Sequence, residues 1–99
     1  MPEQATPNTH QGYAARFLLD LQAIAPTVIT DLTRQAVALR EQAVKAKTVA
    51  ERDELRFAAE GYYLEARAII DKEYGLDSEY GSRLDETAYE AISAIRMPR

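Results

Sequence analysis

Lys45-Ala46-Lys47-Thr48-Val49-Ala50-Glu51-Arg52-Asp53-Glu54 is the stretch on which the fold of this chain turns. Thr48 followed three residues later by Glu51 fits a capping box. The hydroxyl accepts a free backbone N–H at a helix start, and the carboxylate reaches back to another. Lys45 and Lys47 come just before, where cations oppose the negative end of a helix that is finishing. Glu51, Asp53 and Glu54 come just after, where anions favour a helix that is beginning. A tight turn near 47–49 therefore joins two antiparallel helices, an αα-hairpin. Removing the Thr48 hydroxyl is expected to cost about 1 kcal/mol. An uninterrupted helix across 46–50 would instead make the chain one long rod.

Upstream of the turn, Phe17, Leu18, Leu21, Ile24, Ala25, Val28, Ile29, Leu32, Ala36, Leu39, Ala43 and Ala46 follow one another in helical spacing. They give one apolar face to a helix over about 10–46. Pro26 interrupts it by removing a hydrogen bond and clashing with the Gln22 carbonyl. Two readings stand. The helix ends near Ile24 and restarts with Pro26 at its first position, or one long helix kinks there, as the unbroken apolar phase favours. If continuous, this helix is roughly 55 Å long. Residues 1–9 carry two prolines and no apolar period, which reads as a flexible tail. Asn8 with Gln11 offers a helix cap.

Downstream, a second helix is expected over about 49–74. Leu55, Ala58, Ala59, Tyr62, Tyr63, Ala66, Ile69, Ile70 and Tyr74 fill a wide arc on it, wide enough to meet more than one neighbour. Ile69 and Leu39 are expected in the core. Gly61 lies mid-helix, where it reads as a point of close approach for a neighbour. Gly75 is a natural C-terminal cap. A connector over 76–81 leads to Ser82, a cap with Asp85 three residues on. The third helix, about 83–96, turns Leu84, Ala88, Ala91, Ile92 and Ile95 inward. The expected fold is thus all-α, a single helical domain over 10–96. It consists of an antiparallel hairpin whose long first helix breaks or kinks at Pro26, plus a shorter third helix. That third helix is too short to cover a 55 Å partner, so self-association is expected, most simply as a two-fold dimer with coiled-coil-like packing.

Composition narrows the function. Ninety-nine residues allow one domain. The 17 alanines against four glycines and four prolines favour helix. A net charge of −4 argues against direct nucleic-acid binding, which relies on many Lys and Arg contacts to phosphate. The acidity is concentrated: residues 48–99 carry a net −5, a surface suited to a basic protein partner. With no cysteine there is no disulfide, thiolate metal site or cysteine nucleophile. The longest apolar runs, such as Phe17-Leu18-Leu19, fall far short of the ~20 residues of a membrane span, and the first residues do not read as a signal peptide. The expected location is cytoplasmic.

No constellation points to catalysis. His10 stands alone, without a helical Glu-x-x-His partner. Ser78, Ser82 and Ser93 lie outside any nucleophile-elbow sequence, and no glycine-rich phosphate loop is present. The carboxylates read as charged helix faces, with Glu41–Lys45 and Arg67–Asp71 spaced as helical ion pairs. No catalytic, metal or cofactor-binding residue is assigned, and no cofactor is expected.

Tyrosine is the least ordinary feature: six, against two phenylalanines and no tryptophan. Tyr63, Tyr74, Arg67 and Arg56 can project along one side of the second helix. Tyr and Arg are frequent interface anchors, so these four are the candidate interface. The competing view is that the two tyrosines seal the third helix onto the hairpin. The function expected is a non-enzymatic helical interaction protein: an adaptor, assembly factor or protein inhibitor. Its size, charge and helix content are common among phage- and plasmid-type accessory proteins. The alternative is a small-ligand module holding an anionic or nucleotide-like molecule in an inter-subunit Tyr/Arg site.

Overall fold

The computed structural model describes residues 10–97. The tail 1–9 and the Asn8 cap lie outside the described residues. Within them the chain is all-helical, with four helices and no strand: α1 (His10–Ile24), α2 (Thr27–Lys45), α3 (Val49–Tyr74) and α4 (Glu79–Ser93). No helix among the described residues is long and apolar enough to cross a membrane.

The expected long first helix is two helices. Pro26 neither kinks a continuous helix nor opens α2 from its first position. It occupies the N-cap with extended geometry, φ −59° and ψ 151°. Its carbonyl accepts from the Ile29 and Thr30 amides, so the proline closes α1 and starts α2 at once. The apolar phase passes through although the neighbours differ: α1 packs chiefly on α4 and α2 chiefly on α3. The longest dimension of the molecule is 39 Å, about the length of α3 at ~1.5 Å per residue, and not that of a 55 Å rod. The length argument for a dimer rested on that rod and does not carry over to the broken helix.

The turn at 46–48 is built from the residues that announced it. Thr48 Oγ1 accepts from the Glu51 amide at 3.1 Å, and Glu51 Oε1 accepts from the Lys47 amide at 3.3 Å. At the other end of α3, Gly75 takes φ +82°. Its amide donates to the Ile70 and Asp71 carbonyls, each at 3.0 Å, a C-terminal closure that glycine allows cheaply. The fourth helix begins four residues before the expected range. Ser78, not Ser82, is its cap, and Ser78 Oγ accepts from the Gly81 amide at 2.9 Å. Gly81 is buried, and a Cβ there would overlap the Gly75 carbonyl oxygen. Only glycine lets α4 start so close to the end of α3.

α2 and α3 share the most extensive packing, followed by α1 with α4. One half of the core holds Leu21, Ile29, Ile70, Leu84 and Ala88. The other holds Ala14, Ala36, Val37, Ala91, Ile92 and Ile95. Tyr63 touches both. The inward residues expected of α4 are all buried. Ile69 and Leu39 are only half-buried; Ile70 and Val37 lie in the core instead. Thr30 and Thr33 are buried without loss, since their hydroxyls donate to the Pro26 and Ile29 carbonyls one turn back.

Candidate functional site

The four candidate interface residues of α3 are not one cluster. Tyr63 and Arg67, one turn apart, converge on Asp85 of α4. Tyr63 Oη donates to Asp85 Oδ1 at 2.8 Å, and Arg67 Nε lies 3.6 Å from Asp85 Oδ2. Arg67 therefore pairs across the helices with Asp85 and not along its own helix with Asp71. Burial, together with the hydrogen bond to Asp85, raises the Tyr63 pKa well above the ordinary tyrosine value. A ring that is half out of water beside a carboxylate resists acquiring its own negative charge.

Tyr74 lies farther along α3. Its ring meets that of Tyr80 edge-on, with centroids 4.9 Å apart and planes at 87°, a favoured arrangement for aromatic pairs. Tyr80 Oη in turn donates to the Ile24 carbonyl, one of the acceptors left over where α1 stops. Tyr63, Arg67 and Tyr74 are thus engaged in joints between α3, α4 and the end of α1.

Arg56 stands apart, near the start of α3. It pairs with Asp53 at 3.5 Å and lies over the Phe57 ring, 6.0 Å from its centroid. With Arg40, Phe57 and Glu60 it lines a cavity of ≈ 370 Å³. Arg40 Nε donates to the Ile95 carbonyl at 2.6 Å, tying α2 to the end of α4. Burial lowers the Arg40 pKa, and the like charge of Arg56 lowers it further, though an arginine keeps its charge in such a setting.

The most exposed apolar residues of α3 lie on this outer side. Val49 is 62% exposed, Phe57 66% and Leu64 51%. Phe57 and Leu64 are seven residues apart, two helical turns, so they share one face. Gly61 lies between them, and its missing Cβ faces open space; within the chain it allows no close approach. The sequence reading missed this ridge because the same residue types at the same period build both faces of α3. Of the four candidate residues, Arg56 is the one that lies beside Phe57.

No group of three or more His, Asp or Glu that could hold a metal ion occurs among the described residues. Compared with protein-family models, with curated proteins and with solved structures, the chain matches none.

Proposed function

We propose that this chain acts by binding and not by catalysis, as a small helical adaptor, assembly factor or inhibitor. Its working surface is the outer face of α3. α2 and α3 serve as an antiparallel hairpin that presents this face. Tyr63, Arg67 and Tyr74 hold α4 in place behind it, and Arg56 stays in the surface as its charged anchor. The observation that carries the reading is the ridge of Val49, Phe57 and Leu64, each more than half exposed. Scattered exposed apolar residues are ordinary, but two large ones aligned two turns apart beside an Arg form the kind of patch interfaces use. A two-fold dimer through this face covers the ridge on both copies at once.

Light scattering at micromolar concentration tests the proposal. The parent should have the mass of two subunits. Phe57→Ala combined with Leu64→Ala should give the 11.1 kDa monomer with an unchanged helical circular-dichroism spectrum. A parent that is a folded monomer overturns self-association. A double variant that stays dimeric moves the interface elsewhere.

A further inference from the structure

A second surface feature lies on the opposite pair of helices. Tyr13 and Phe17 of α1 and Tyr89 of α4 wall a cleft of ≈ 390 Å³, with Glu90, Ser93 and Arg96 at its edge. The volume lies in the range of small-molecule pockets, which are mostly apolar with a few placed polar groups. Tyr13 is 48% exposed and Tyr89 58%, so two large rings face solvent across a concavity when they could have packed. The Tyr89 ring is steadied from behind by Tyr63, with centroids 6.0 Å apart and planes at 55°. Tyr63 in turn is fixed by Asp85. One wall of the cleft is therefore held rigidly from the core.

Charge completes the argument. Arg34 pairs with Asp31, Arg40 with the Ile95 carbonyl, Arg56 with Asp53 and Arg67 with Asp85, whereas Arg16, Arg52, Arg83 and Arg96 make no such side-chain contact among the described residues; of these four, Arg96 lines this cleft. Arg96 has no hydrogen bond or ion pair among the described residues, and neither has Glu90. A guanidinium beside exposed aromatic rings suits an anion carried on an aromatic body. Glu90 close by repels a second negative charge and offers an acceptor to a donor group. The larger cavity at Glu79, Tyr80, Ser82, Arg83 and Glu86, ≈ 650 Å³, lacks this combination. It has one ring, and that tyrosine already donates to the Ile24 carbonyl.

We propose that the α1–α4 cleft binds a small monoanionic aromatic molecule, its ring against Tyr13, Phe17 and Tyr89 and its carboxylate or sulfonate on Arg96. The site lies within one chain and does not depend on the α3 ridge.

Two fluorescent probes of the same skeleton test it. 8-Anilinonaphthalene-1-sulfonate carries the anion, and N-phenyl-1-naphthylamine is its neutral counterpart. The parent should bind the sulfonate saturably at one site per chain, more tightly than the neutral probe. Tyr89→Ala should weaken both probes about tenfold, and Arg96→Gln should weaken only the sulfonate, also about tenfold. Phe57→Ala, on the α3 ridge, should change neither. Thermal melts of each variant separate loss of the site from loss of the fold; Arg96→Gln, at an exposed position, provides the test if Tyr89→Ala does not fold. The proposal is overturned if the parent shows no saturable binding. It is equally overturned if Arg96→Gln leaves the preference for the sulfonate intact, or if Phe57→Ala abolishes binding. Because the mass measurement reads the ridge and the titration reads the cleft, each proposal can fail alone.

Discussion

The two halves of the core are built differently. Around Leu21, Ile29, Ile70 and Leu84 the helices meet through large aliphatic side chains with no exposure at all. This end is closed by joints: the Gly75 cap, the buried Gly81, the Tyr74–Tyr80 pair and the Tyr80 bond to the end of α1. In the other half three of the six buried residues are alanines, Ala14, Ala36 and Ala91. That end is held by Val37, Ile92, Ile95 and the single Arg40–Ile95 bond, and it opens into the aromatic cleft. Apolar area removed from water scales with side-chain size, at about 25 cal/mol per Å². The aliphatic half therefore carries more of the stability. Both proposed binding features lie toward the alanine-rich half.

The largest effect that separates the halves is expected from truncation. Leu84→Ala should cost about 3–5 kcal/mol, because a fully buried leucine leaves a cavity between α4 and the others. Val37→Ala should cost about 2 kcal/mol, since it deletes two methyl groups at ~0.8 kcal/mol each plus a small void. Urea unfolding of the two variants measures this. Equal losses would mean that the alanine half is as firmly packed as the other.

Tyr63 touches both halves, and its hydroxyl gives a smaller, pH-dependent effect. Tyr63→Phe should cost about 1 kcal/mol near neutral pH by taking the donor from Asp85 Oδ1 while Arg67 still faces Oδ2. The folded protein holds this tyrosine neutral, with its pKa raised by burial first and Asp85 second. A raised folded-state pKa means that the contribution is complete below the unfolded tyrosine value of about 10. It is lost as pH climbs beyond that toward the folded value. The stability of the parent should therefore fall above about pH 10 more steeply than that of Tyr63→Phe. Parallel curves for the two proteins would detach Tyr63 from the joint.

What was legible in the sequence follows the range of the interactions concerned. The turn at Thr48 and the cap at Gly75 are local, formed by residues three to five apart, and their chemistry could be read directly. The α4 start could not, because Ser82-x-x-Asp85 imitates a capping box while Asp85 is claimed by Tyr63, 22 residues away. The correct cap, Ser78, has Gly81 at its third position, and that glycine is explained only by the approach of Gly75. Pro26 left two readings because a proline removes the same hydrogen bond in a kink and in a break. Which occurs depends on what α1 packs against, namely α4, more than fifty residues on. The surroundings of the candidate residues were the least legible. Tyr63, Arg67 and Tyr74 have the composition of an interface, and only the position of α4 shows that their partners lie within the chain. The aromatic cleft draws Tyr13 and Tyr89 from opposite ends of the sequence.

The smallest expected effect concerns two glycines that look alike in sequence. Gly81 sits against backbone, and any side chain there must push α4 away from the Gly75 turn. Gly61, exposed and mid-helix, has open space where its Cβ would be. Replacing it with alanine removes backbone freedom from the unfolded chain and improves helix propensity by about 0.5–1 kcal/mol. Gly61→Ala should therefore raise the melting temperature by a few degrees, on the scale of ~4–8 °C per kcal/mol for a domain this size. The measurement belongs at low concentration, where self-association does not contribute. Gly61 lies beside Phe57 and Leu64, so the same variant also probes the proposed ridge. A second helix seated over Gly61 would meet the added methyl, and the dimer would weaken while the isolated subunit gained stability. If the melting temperature rises and the dimer mass is unchanged, contact between copies is made by the side chains of Phe57 and Leu64, with the two α3 backbones held apart.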